Sequence, residues 1–370
     1  RISLEVFHAL TDGTGALWFF QDLLTEYVGL RHLDEFEAAA PGPVKQDFAP
    51  DAFTHWFRTG GSATFAEDAT SAVQSPTTRL PEGVRDPGEA SARTGRKKRA
   101  RSDVLRVGGT HTPDNRTRVV ELSMPVRPVL ALARAEHVSL TIYLLAVFFD
   151  ALRQTRLPAH GRPRTLTCSV PVNLRQFFPT ESGRNFFATT MLEHTYGEGD
   201  RTAGAGEGPA GGGGADSIGS VCRSPHEQFQ QVVSREGLER KIRRLVRFER
   251  NPALRVIPRP AKDLILGTIN RWQNLGTTVA ISNMGRVELP EPADPHVGRI
   301  FLHVSAVRPQ FCVVSHGDHL TISFTSPFVE TDVHAAFVRT LTEVGVPVEI
   351  DVSRVTADEI AAVVEPGTGT

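Results

Sequence analysis

The chain predicts an α/β sandwich of mixed or largely antiparallel sheets flanked by helices, and three observations carry that expectation. Thr165–Val172 alternates, with Leu166, Cys168, Val170 and Val172 on one parity, as a strand half buried against a second layer does. Leu140, Leu144, Val147, Phe148, Ala151 and Leu152 recur at helical spacing and supply a covering layer. Helices and long strands are mixed without the regular βαβ rhythm of a parallel sheet, and the last strands run consecutively as a meander.

The elements follow in order. Ile2, Leu4, Val6 and His8 share one parity, so the first residues read as a strand that needs sheet partners. A tight loop with Gly13 and Gly15 leads to a helix marked by Leu17, Phe20, Leu24 and Val28. From 58 to 101 apolar content collapses, as in a disordered insertion. The basic run Arg96–Arg101 inside it reads either as an address or nucleic-acid patch or as a solvated, flexible segment.

Order returns near Val104, with a strand at Thr117–Leu122, a helix over Val126–Glu136, and a second helix capped by Ser139 or Thr141. Arg184–His194 reads as extended, and 197–219 as a second, Gly-rich flexible insertion. Ser224-Pro225-His226-Glu227 has the form of a capping box with proline at N1, opening a helix to about Arg250. A helix is expected over Ala261–Trp272, strands at Thr277–Ser282, Arg299–Val307, Gln310–Ser315 and Leu320–Ser326, then a helix at Asp332–Val344 and a strand near Pro347–Asp351.

Composition narrows the function. With 40% hydrophobic and 22% charged residues in 370, the chain is globular, and a net charge of −1 gives no electrostatic case for nucleic acid. No apolar run has the length of a bilayer span, and no signal-peptide pattern opens the chain. Cys168, Cys222 and Cys312 form neither a disulfide framework nor a zinc knuckle, which suits a reducing, cytoplasmic setting. There is no G-x-S-x-G elbow, Walker loop, H-E-x-x-H or paired C-x-x-C; His316 and His319 read as a polar hairpin turn before they read as metal ligands.

The chemistry centres on His8-Ala9-Leu10-Thr11-Asp12-Gly13. Histidine, with an ordinary pKa of about 6.5, suits proton transfer near neutrality. A carboxylate one short loop away can hold geometry, and glycine permits close backbone approach. On its own the pattern also fits a buried, hydrogen-bonded histidine.

Phe7–Gly15, then Val170–Arg175, Gly183–Phe187, Ile281–Val287 and Gly317–Phe324 together resemble, in order, the coenzyme-A-dependent acyltransferase superfamily. That group contains chloramphenicol acetyltransferase, peptide-synthetase condensation domains and bacterial alcohol acetyltransferase-like proteins, the last being the most similar. Phe7 stands where many members have a second histidine, which weakens assignment to condensation domains. The resemblance implies a chloramphenicol acetyltransferase-like fold of two similar subdomains meeting along a tunnel. Residues 1–125 would be an incomplete N-terminal subdomain and 126–365 the C-terminal one. On that reading the chain is N-terminally truncated, and the polypeptide as given folds poorly and has little activity.

The resemblance also implies roles. His8 is the general base, its ring facing the tunnel. Asp12 is structural and pairs with Arg175 in a bidentate fork; the alternative is an Arg175 that lies on the surface. Gly13 serves geometry, through a positive φ or close packing. Ser282, Asn283 and Gly285 line the tunnel or form a strand-ending turn, and Asn185 stands under the same two readings. The implied reaction moves an acyl group, acetyl first among them, from coenzyme A to a small alcohol or amine, with no tightly bound cofactor or metal. The alternatives are a condensation-type domain taking acyl groups from a carrier protein, and an inactive binding module.

Overall fold

The computed structural model describes residues 1–36, 52–57, 103–112, 116–158, 162–197, 217–249, 263, 267–268, 276–305 and 307–353. The expected insertion 58–101, most of 197–219 and most of the helix expected at Ala261–Trp272 lie outside them.

Seven strands form one sheet among the described residues: β1 Arg118–Pro125, β2 Arg164–Asn173, β3 Phe187–Tyr196, β4 Val279–Val287, β5 Gln310–His316, β6 His319–Ser326 and β7 Glu349–Val352. Their spatial order is β3-β2-β4-β5-β6-β1-β7. The β2–β4 and β4–β5 pairs are parallel and the remaining pairs antiparallel, so the sheet is mixed as expected. β1, which the division at 125 groups with the N-terminal part, is hydrogen-bonded between β6 and β7 in this same sheet.

The helices are α1 Gly13–Arg31, α2 Ala52–Phe57, α3 Val126–Ala135, α4 Leu140–Arg156, α5 Ile218–Val232, α6 Arg235–Glu249 and α7 Asp332–Glu343. Ser139 caps α4 by accepting from the Ile142 amide, and every residue from Ile142 to Leu152 is buried. A helix apolar on all sides must be enclosed, and α4 lies between the sheet and α5 and α7. Phe148 sits 5.1 Å from Phe311 and 5.8 Å from Phe324, centroid to centroid, joining α4 to β5 and β6. Among the described residues no single helix is long and apolar enough to cross a membrane; α3 and α4 pass that test only jointly, across an 86° bend.

Side chains alternate along each strand, so what faces away from α4 forms a second surface. There the register sets Ser282 of β4 beside Cys312, Cys312 beside Ser323, and Ser323 beside Glu121. This is a polar row across four strands. In a separate cluster, Leu24 and Val28 of α1 pack with Val287, Leu289, Ala293, Ile300 and Val314.

Several expectations are corrected. Residues 1–7 have no ladder partner among the described residues and lead into a turn, closed by the Leu10 amide on the Phe7 carbonyl at 2.9 Å. Of the strand expected at Arg299–Val307, residues 299–305 and 307, the part that is described, form no strand. Carbonyls there meet side chains instead of a neighbouring backbone: Thr321 Oγ1 donates to the Ile300 carbonyl at 2.6 Å and Gln310 Nε2 to that of Val304 at 3.0 Å. The helix expected to start at Ser224 begins at Ile218, capped by Ser217, with Pro225 inside it. Ser224 is not a cap because its hydroxyl donates to the Glu193 carbonyl of β3. That helix stops at Val232 and restarts at Arg235, where Ser234 Oγ accepts from the Gly237 amide.

Candidate active site

Asp12 is the N-cap of α1, its backbone extended and its Oδ1 accepting from the Gly15 amide at 3.0 Å. Its Oδ2 accepts from the Phe186 amide at 2.8 Å and from Arg175 Nη1 at 2.7 Å. Each of these two side chains is only 7% exposed. Arg175 stands in the 3₁₀ turn Leu174–Gln176 that ends β2. Removing one partner of such a buried pair leaves an uncompensated charge.

The fork expected between Arg175 and Asp12 is a single hydrogen bond. The other guanidinium donors serve backbone carbonyls that would otherwise be orphaned: Nε and Nη2 donate to Ser182 at 3.2 and 2.7 Å, and Nη2 donates to Arg184 at 2.7 Å. The cation also lies over the ring of Trp18 on α1, 5.2 Å from its centroid. Arg175 therefore joins α1, the end of β2 and the loop before β3.

That loop returns to the histidine segment. Asn185 Nδ2 donates to the His8 carbonyl at 2.9 Å, and Thr11 Oγ1 donates to the Gly183 carbonyl. A Cβ on Gly15 would overlap the Gly183 carbonyl oxygen, so this crossing of two backbones requires glycine. A Cβ on Gly13 would come 2.8 Å from Met284 Sδ; of the two expectations for Gly13, close packing is what its surroundings provide. Asn185 Oδ1 is buried with no partner among the described residues.

His8 itself is exposed in the Phe7–Leu10 turn, with its ring centroid 5.9 Å from that of Phe187. The sequence expects an imidazole between two halves of a protein. Among the described residues no second half faces the ring, and the imidazole is open to solvent where the expectation had it facing a tunnel. Exposed apolar side chains surround this stretch: Phe7 and Leu10 beside His8, and Phe19, Leu23, Tyr27 and Leu30 along α1.

Of the β4 candidates, Asn283 donates from Nδ2 to Thr141 Oγ1 at 2.9 Å and accepts at Oδ1 from the Gly285 amide at 2.8 Å. Its side-chain amide is thus spent on a local turn through Oδ1 and on a tie to α4 through Nδ2. Gly285, at φ +76°, completes the irregularity between Asn283 and Arg286. Ser282 is half-buried in the polar row. The geometry gathers His8, Asp12, Gly13, Arg175 and Asn185; Asn283 and Gly285 shape the strand instead.

The sequence reading missed the other end of the polar row. Glu121, 8% exposed, accepts from Arg1 Nη2 at 2.9 Å and lies 2.8 Å from His303 Nε2. Residues 1–12 therefore run from β1, at Glu121, to the 182–186 loop. The signal was the alternation of Glu121 and Ser123 with Val120, Leu122 and Met124. Burial pushes the thiol of Cys312, in the same row, up to about 12, which disfavours the thiolate; Cys222 also reaches about 12, through burial and then the charge of Glu136.

No protein-family model matches this chain, and neither does any curated protein sequence. Solved structures do. Polyketide synthase associated protein 5 from Mycobacterium tuberculosis superposes with a TM-score of 0.45 at 14% identity, over 90% of this chain and 70% of that one. The first condensation domain of the CDA synthetase gives 0.43 at 14%, over 92% and 62%. TRI3 trichothecene 15-O-acetyltransferase from Fusarium sporotrichioides gives 0.42 at 12%, over 66% of this chain and 49% of that one. The chain thus spans less than two thirds of the latter two. The epimerization domain from the third module of tyrocidine synthetase B is also similar, with a TM-score of 0.42 at 12% identity, over 92% of this chain and 66% of that one. With scores below 0.5, these likenesses carry no argument about superfamily, role or substrate.

Proposed function

We propose that this chain carries the general-base wall of an acyltransferase, moving an acyl group from a coenzyme A thioester to an alcohol or amine. One observation supports the reading above others. The buried Asp12–Arg175 pair and the Asn185–His8 bond tie the histidine segment to residues 163 and 177 positions away in sequence. Such a cross-tie is what a proton-transfer group needs to be held in one place.

In this account His8 takes the proton of the acceptor hydroxyl or amine as its oxygen or nitrogen attacks the thioester carbonyl. The tetrahedral intermediate collapses, the carbon–sulfur bond breaks, and the imidazolium returns the proton to the departing thiolate. The products are an ester or amide and a free thiol. A positioned general base contributes about 10²–10⁴-fold. Asp12 and Arg175 act through position alone, and Ser282 offers a polar surface for the acceptor. Thioesters on a carrier protein fit the same chemistry and form the alternative donor.

The test is thiol release from acetyl-CoA by the full-length polypeptide, with a panel of alcohols and amines. Acceptor-dependent release that falls about a hundredfold or more in His8→Ala is the expected result. Binding of coenzyme A with no release from either acetyl-CoA or a carrier-protein thioester would overturn the reading in favour of a binding module.

A further inference from the structure

The far end of α1 carries a second constellation, unrelated to the first by distance or chemistry. His32 is the C-cap of α1, and the Glu35 amide donates back to the His32 carbonyl at 3.0 Å, closing a turn that brings both side chains to one place. Opposite stands His296, last residue of the 3₁₀ turn Asp294–His296. Glu35 Oε1 lies 3.5 Å from His32 Nδ1, and Glu35 Oε2 lies 2.8 Å from His296 Nε2. The two imidazole rings are 3.9 Å apart, and the three donor groups all fall within 4.8 Å of one another.

We propose that His32, Glu35 and His296 bind a divalent transition cation that takes nitrogen and oxygen ligands, zinc being its representative. Zinc holds imidazole nitrogen at about 2.0–2.1 Å and carboxylate oxygen at about 2.0–2.2 Å, so donors around one ion stand roughly 3.3 Å apart. The distances from Glu35 to the two histidines bracket that value. Two imidazoles and a carboxylate are a ligand set that zinc and its neighbours favour, and three protein ligands leave a position for water.

The carriers of these ligands are already fixed to each other. Leu24 and Val28 on α1 pack with Leu289, Ala293 and Ile300, on either side of the 3₁₀ turn. Asp294 Oδ1 accepts from the Leu289 amide at 2.7 Å and secures the turn itself. An ion would therefore meet pre-positioned donors, and all three side chains retain solvent exposure through which it can enter. With 19 residues in α1, the site lies about 28 Å along the helix from Asp12. Its role is to clip the end of α1 to the 289–297 segment, not to take part in acyl transfer.

The test uses the full-length polypeptide stripped with a chelator and titrated with zinc chloride by calorimetry, with cobalt(II) absorption as a second readout. One equivalent is expected to bind and to raise Tm, with ligand-field bands when cobalt is used. His296→Gln and Glu35→Gln should each weaken binding at least tenfold and abolish the Tm rise, while His319→Gln, an exposed histidine elsewhere, leaves both unchanged. Absence of saturable binding, or equal binding in His296→Gln and His319→Gln, would overturn the proposal whatever the outcome for acyl transfer.

Discussion

Along β2, Leu166, Cys168 and Val170 sit beneath α4 in the main apolar cluster, whereas Arg175, just past the strand's end, is held by directed bonds to Asp12, Ser182 and Arg184. The first region is held by area, which is indifferent to direction. The second is held by a few polar groups whose geometry is specific and whose loss leaves others unpaired. An apolar core tolerates volume-conserving change and fixes no particular atom. A polar strut tolerates little and can set where one imidazole stands.

Truncations at the two ends should separate these regimes. Phe148→Ala removes a ring that bridges β5 and β6 beneath α4, and should cost about 3–5 kcal/mol of unfolding free energy in urea titration. Turnover per folded molecule should be unchanged. Asp12→Ala should cost a similar amount, about 3–5 kcal/mol, by stranding the Arg175 charge. Adding Arg175→Met to it should recover part of that stability and none of the turnover.

A smaller effect sharpens the contrast from within the apolar region. His334 on α7 is buried against Phe324, and burial, then the charges of Arg118 and Arg156, push its pKa down from 6.5 to about 4. The folded state thus refuses a proton that the unfolded chain accepts. Stability is complete above pH 6.5 and is lost as pH falls towards 4, by about 3 kcal/mol from this group. His334→Phe should flatten that part of the pH–stability curve. Smaller again, Gly285→Ala forces a side chain into a positive φ and should cost about 1 kcal/mol, read as a shift of the urea midpoint.

Much of this was legible in the sequence for reasons of periodicity. The parity of Leu166, Cys168 and Val170, the helical spacing of Leu24 and Val28 and the apolar run of α4 all follow from burial on one face, which composition records. The pairing of Asp12 with Arg175 came from resemblance, not from spacing. What could not be read was where backbone groups find partners. Ile2–Val6 alternates like a strand but has no ladder among the described residues, and the Ile300 and Val304 carbonyls bond the Thr321 and Gln310 side chains. The metal-binding constellation was invisible for a similar reason. His296 is more than 260 residues from Glu35, and only packing brings them together.

The central claim is that Arg175 affects catalysis only through the placement of His8. Turnover of acetyl-CoA by the native protein, His8→Ala, Arg175→Lys and the double variant tests it most directly, since groups acting as a unit are not additive. Arg175→Lys should slow the native enzyme by roughly tenfold in kcat, while in the His8→Ala background it should change nothing further. Two losses that multiply, or an Arg175→Lys enzyme as fast as the native one, would contradict the account.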